Sequence, residues 1–107
     1  MARYLFQLSY TPEAWAALLK EPHNRIERVA PALEKLGGRF VDTYFTLGDY
    51  DLIGIMELPD NVAASAFAMA VIGGGAVKSY RTTPLVSIEE GIEAMRKGAE
   101  VGYRPPA

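Results

Sequence analysis

The 107-residue sequence predicts an α+β domain built on a four-stranded antiparallel sheet, with its helices on one face. Three observations carry this expectation. Short aromatic and aliphatic runs alternate at the period of a strand, stripes at helical spacing separate them, and Gly or Pro clusters punctuate the junctions. Half of the residues are hydrophobic and 22% are charged, the balance of a folded domain rather than a disordered chain.

Residues 3–10 read as the first strand, with Tyr4, Phe6 and Leu8 on one face and Leu5, Gln7 and Ser9 on the other. Thr11-Pro12-Glu13 starts a helix: Thr caps the first amides, Pro suits the first helical position, and an acid favours the positive dipole end. That helix runs to Lys20 and breaks at Glu21-Pro22, because a residue before proline avoids helical angles. From His23 to Leu36 a second segment aligns Ile26, Val29, Leu33 and Leu36, with Pro31 expected to bend it and Gly37-Gly38 to end it.

Residues 39–47 form the second strand, with Val41, Thr43, Phe45 and Leu47 opposite Phe40, Asp42, Tyr44 and Thr46. A tight turn at Gly48-Asp49 leads into a third strand, Tyr50 to Leu58, making a hairpin. Pro59-Asp60 ends it, and Asp60 or Asn61 caps a helix over 62–72 that Gly73-Gly74-Gly75 stops. A fourth strand spans Ala76 to Thr83, with Pro84 to Val86 at most extended. Ser87-Ile88-Glu89-Glu90 is a capping box opening a last helix to Glu100. The order is the split βαβ, ferredoxin-like βαββαβ pattern with an extra C-terminal helix: one domain over 1–101 and a short tail, 102–107.

The strand faces bear on assembly. Leu52, Gly54, Met56 and Leu58 make an apolar face on which Gly54 is expected to let a helix approach closely. The opposite face, Asp51, Ile53, Ile55 and Glu57, is greasy in the middle and calls for a cover. The segment 62–72 is apolar all round except Ser65, the pattern of a helix buried on more than one side. Both features point to a homodimer or higher homo-oligomer pairing sheet to sheet; the alternative is a C-terminal helix folded back over the second face.

Composition narrows the chemistry. Eleven Lys and Arg against thirteen Asp and Glu argue against a nucleic-acid partner. No cysteine and a single histidine leave no basis for a metal site in one chain, and no cofactor is expected. With no leader-like segment and an apolar stretch too short for a bilayer, a cytoplasmic protein with no membrane partner is the expectation.

The second face gathers Gln7, Asp42, Tyr44, Asp51 and Glu57, and Tyr80 joins them if Val77 faces the helices, along with Lys78 and Thr82. These side chains line a small-molecule pocket, between sheet and helices or between paired sheets, or else form cross-strand contacts at a subunit interface. For acid–base chemistry the candidates are His23, Tyr44, Asp51 and Glu57, His23 being the one side chain that titrates near neutrality. Structural readings stand beside these: a lone His at a helix start is commonly a surface residue or loop partner, and Asp49 after Gly48 is good turn chemistry. Asp51 is less easily dismissed because it points to the same face as Glu57 and the Ile pair. Trp15 reads as a core or interface anchor.

Leu36-Gly37-Gly38-Arg39-Phe40, followed by Tyr44 to Leu52 with Gly48-Asp49-Tyr50-Asp51 at its centre, resembles the GYD domain family. Glu57-Leu58-Pro59-Asp60, the Ala-rich stretch 63–70 and the glycines before Val77 extend the resemblance over residues 3–96. It implies the dimeric α/β-barrel group, ferredoxin-like units paired sheet to sheet, with no established activity and no agreed catalytic residues. The expected function is thus a homo-oligomeric binding or sensing module with a small-molecule pocket. The alternative is a cofactor-independent, monooxygenase-like or isomerase-like enzyme acting on a small hydrophobic substrate.

Overall fold

A computed structural model describes the chain from Met1 to Ala107 as β1 (Ala2–Tyr10), α1 (Pro12–Lys20), α2 (Arg25–Lys35), β2 (Arg39–Phe45), β3 (Leu52–Leu58), α3 (Asn61–Gly73), β4 (Val77–Leu85) and α4 (Ile88–Ala99). The sheet order is β2-β3-β1-β4, antiparallel throughout, the ferredoxin-like arrangement that the element order predicts.

Local signals set the helix ends. The Thr11 hydroxyl accepts from Ala14 N at 3.1 Å with Pro12 following, as expected. α2 starts later than predicted because Asn24, in extended conformation, accepts from the amides of Ile26 and Glu27. It then runs through Pro31 without ending. Asp60 caps α3 through Ala63 N, and Ser87 and Glu90 close the capping box of α4 in both directions.

The core lies between the sheet and α2 and α3. Tyr4, Phe6, Leu8 and Tyr10 of β1 and Leu52, Met56 and Leu58 of β3 meet Leu33 of α2 and Ala64 and Phe67 of α3. β3 alternates buried and part-buried residues without interruption, as its pattern demands. Gly54 is needed for a different reason than the expected helix approach. A Cβ there would meet the Phe6 ring at 2.8 Å and the Asp42 carbonyl, so neighbouring strands, not a helix, occupy the space.

Two bulges reset the faces of the outer strands. On β4, Ser9 pairs with Ser79 but Tyr10 with Val77, leaving Lys78 as an extra residue. Val77 therefore faces the helices, as expected, but so do Tyr80 and Thr82, opposite Leu8 and Phe6, rather than joining the second face. On β2 the extra residue is Val41, which puts Phe40 opposite Met56 on the core face while Asp42 and Tyr44 keep the other. Phe40 then stacks edge-on against Phe6 at 5.6 Å and Phe67 at 6.1 Å.

Three further differences have physical causes. Residues 46–51 form a longer loop than the predicted turn, closed by Thr46 N donating to the Asp51 carbonyl and the Thr46 hydroxyl to that of Tyr50. β4 continues through Pro84 to Leu85, tolerable because it is an edge strand. α3 buries only one side, Ala64 and Phe67, leaving Val62 and Met69 exposed.

α4 does not fold back. None of its residues is buried, and Ile88, Ile92 and Met95 stand exposed along it. The long axis of the chain is 57 Å and its radius of gyration 17.2 Å, well above the ~13 Å of a spherical domain this size. The second sheet face, centred on Leu5, Ile53 and Ile55, is thus left uncovered by the chain itself.

Candidate functional site

A mostly apolar cavity sits between the core face of the sheet and the helices α2 and α3, with a volume of about 400 Å³. Phe6, Leu8 and Tyr10 of β1 form its floor, with Phe40 and Leu52 on one side and Val77 and Tyr80 on the other. Ile26 and Val29 of α2 and Phe67 and Val71 of α3 close over it. Fifteen of the eighteen lining residues are hydrophobic, and the only charged ones are Arg25 and Arg28. This is the usual form of a small-molecule site: an apolar body with a few polar groups.

Its electrostatics are one-sided. No carboxylate pairs with Arg25 or Arg28, since the ion pairs of the chain are Arg3–Glu57, Arg39–Glu57 and Arg96–Glu93. Burial pushes the Tyr10 phenol above its ordinary value, with Arg25 opposing and Asp51 adding to the rise. Burial likewise raises Tyr80 to about 12, the nearby Thr82 hydroxyl working weakly against it. The Tyr80 and Thr82 hydroxyls are both buried, and neither has a well-formed hydrogen-bond partner.

Of the residues singled out from sequence, Tyr80 alone lines this cavity. Gln7, Asp42, Tyr44 and Glu57 lie on the opposite, open face. There Glu57 is the centre of a three-strand bridge, accepting from Arg3 at 3.0 Å and Arg39 at 2.8 Å. Desolvation raises its carboxyl, but Arg39 and Arg3 outweigh that and hold it below the ordinary carboxylate value. A carboxylate held ionised in this way is a poor proton acceptor. Tyr44 projects from the open face, 61% exposed.

Asp51 joins neither surface. Its Oδ2 accepts from Tyr10 N at 2.9 Å and from the Trp15 indole N–H at 3.1 Å. Trp15 in turn packs edge-on against Tyr10 at 5.4 Å and, tilted, against Phe45 at 6.2 Å. The Asp49 carbonyl accepts from the Ser9 hydroxyl at 2.9 Å. Gly48-Asp49-Tyr50-Asp51 is therefore a buckle that ties the β2–β3 loop to β1 and α1. His23 lies between α1 and α2, where Nδ1 donates to the Glu21 carbonyl at 2.9 Å and Nε2 is buried without a partner. Together with Tyr44 it borders a shallow depression outside the main cavity. His23, Tyr44, Asp51 and Glu57 thus share no common site.

Arg25 and Arg28 escaped sequence reading because each looks like the solvated shoulder of an amphipathic helix. The available signal was spacing: Arg25, Arg28 and Ala32 recur at i, i+3 and i+7, one residue before the stripe, and all three border the cavity.

The topology and the helix-covered pocket define a ferredoxin-like α+β domain. Its buckle sits at the Gly48-to-Asp51 motif. Within that class the chain belongs to the GYD domain family, whose model matches residues 4–95 and so reaches from β1 into α4. No curated protein matches the chain. No helix is long and apolar enough to cross a membrane.

Proposed function

We propose that the protein is a small-molecule binding module that works as a homo-oligomer, its ligand held in the cavity between α2, α3 and the sheet. The cavity itself carries the reading: about 400 Å³ of mostly apolar space between the sheet and its helices lies within the ~300–1,000 Å³ of small-ligand sites. Self-association is supported by the uncovered Leu5, Ile53 and Ile55 on the open face, and by the exposed Val62 and Met69 of α3. The four acid–base candidates do not converge on one site and none lines the cavity, so no observation favours the enzymatic reading.

The test is a titration with 1-octanol, a neutral apolar probe, followed by backbone amide NMR. Saturable shifts at Phe6, Phe40, Val71 and Tyr80, lost when Val71→Trp fills the space, are the expected result. Shifts confined to the open face would sink the reading. Sedimentation tests assembly separately: Ile55→Lys on the open face is expected to leave a folded monomer.

A further inference from the structure

The charges at the cavity mouth say what kind of molecule the proposed site selects. α2 presents Arg25 and Arg28 one turn apart on the side that borders the cavity. Arg25 is part-buried, Arg28 is exposed, and neither has a carboxylate within 4.0 Å. The lining holds no Asp or Glu, so its charge is of one sign only. Of the nine other Lys and Arg residues three are paired, Arg3 and Arg39 with Glu57 and Arg96 with Glu93, and none of the nine borders the cavity. Two unpaired guanidiniums at the rim of an apolar space suit an anion that enters with a hydrophobic body behind it.

Size sets the body. At ~30 Å³ per water-sized atom, a cavity of about 400 Å³ holds about a dozen heavy atoms. Phe6, Phe40, Phe67 and Tyr80 form an aromatic wall for an aliphatic chain or a single ring.

Resting on the binding reading above, we propose that the cavity takes a small amphiphilic monoanion, a carboxylate of about eight to ten carbons. Its tail lies on the aromatic wall and its head at Arg25 and Arg28. The guanidiniums donate charge-assisted hydrogen bonds that are strongest to a carboxylate, weaker to a neutral hydroxyl, and that an ammonium head cannot accept. A desolvated tail keeps these bonds at the edge of a low-dielectric region, where they are strongest.

Calorimetric titration of the full chain with octanoate, 1-octanol and octylammonium separates the claims. Octanoate is expected to bind about tenfold more tightly than octanol, and octylammonium more weakly than either. Arg25→Gln and Arg28→Gln are each expected to cut octanoate affinity by about threefold to tenfold and octanol affinity by less, so that the preference shrinks; Arg96→Gln, on α4, changes neither. Circular dichroism checks that each variant is folded. Octanol binding as tightly as octanoate, or arginine variants that retain the preference, overturns the anion assignment and leaves the cavity reading standing. Failure of all three probes to bind overturns both.

Discussion

Replacing Asp51 tests whether the motif at the β2–β3 loop is structural. In Asp51→Ala the Tyr10 amide and the Trp15 indole N–H both lose their acceptor, at sites 2.9 and 3.1 Å from the same carboxylate oxygen. Tyr10 is only 7% exposed, so water restores little there. Leaving a covered donor unpaired costs about 1–3 kcal/mol, and two such donors, one of them half-open, give about 2–4 kcal/mol. With an unfolding entropy of ~2 cal/mol/K per residue, that is a fall of about 10–20 °C in Tm. Asp51→Asn keeps a neutral acceptor and is expected to lose about 1 kcal/mol. Urea unfolding followed by the fluorescence of Trp15, the chain's single tryptophan, reads the transition at the site of the change. Combining Asp51→Ala with Trp15→Phe, followed by circular dichroism, isolates the pair. A loss below about 0.5 kcal/mol, or full additivity in the double variant, would refute the buckle.

Gly54→Ala is expected to cost about 2–3 kcal/mol, because its methyl group runs into the Phe6 ring and the Asp42 carbonyl; chemical denaturation checks this, and a neutral result means that β2 can shift aside. Glu57, held below the ordinary carboxylate value between Arg39 and Arg3, contributes stability that is present above about pH 4.3 and lost as pH falls through its folded value. Glu57→Gln should flatten that part of a plot of Tm against pH, and an unchanged acid limb contradicts the bridge. Tyr80 works in the opposite direction: a phenol raised to about 12 contributes fully below about pH 10 and loses about 2–3 kcal/mol as pH rises from 10 to 12. Tyr80→Phe should remove this alkaline loss and raise stability near neutrality by up to about 1 kcal/mol, since the hydroxyl has no partner; a clear drop in urea unfolding would show that it is paired in solution.

Much of the fold was legible because it is written in short-range chemistry. Thr11-Pro12, Asp60 and Ser87 with Glu90 mark helix starts by side-chain acceptors within three residues, and β3 alternates without a fault. The faces of β2 and β4 were not legible. A single extra residue inverts everything beyond it, and neither Val41 nor Lys78 is a glycine or carries any other local mark. Phe40, Tyr80 and Thr82 therefore changed sides. The cavity was hidden for a related reason, since it depends on how α2 and α3 lie across the sheet. Asp51 was expected on the open face beside Glu57, whereas its carboxylate turns to Tyr10 N and to Trp15, a bond between residues 36 apart in sequence that only the folded chain brings together.

The same two bulges, with Pro84, govern what the rims of the sheet can recruit. Both outer strands are interrupted: β2 at Val41, β4 at Lys78 and again at Pro84, which has no amide proton to donate. A strand from a neighbouring or half-folded molecule finds no long, regular row of donors and acceptors on either rim, which blocks growth by strand addition. Contact through the broad open face has the opposite geometry. Two copies meeting there through the same patch, as proposed above, would bury it on both and leave only blunted rims outside, so such an assembly would close on itself instead of propagating into a fibre.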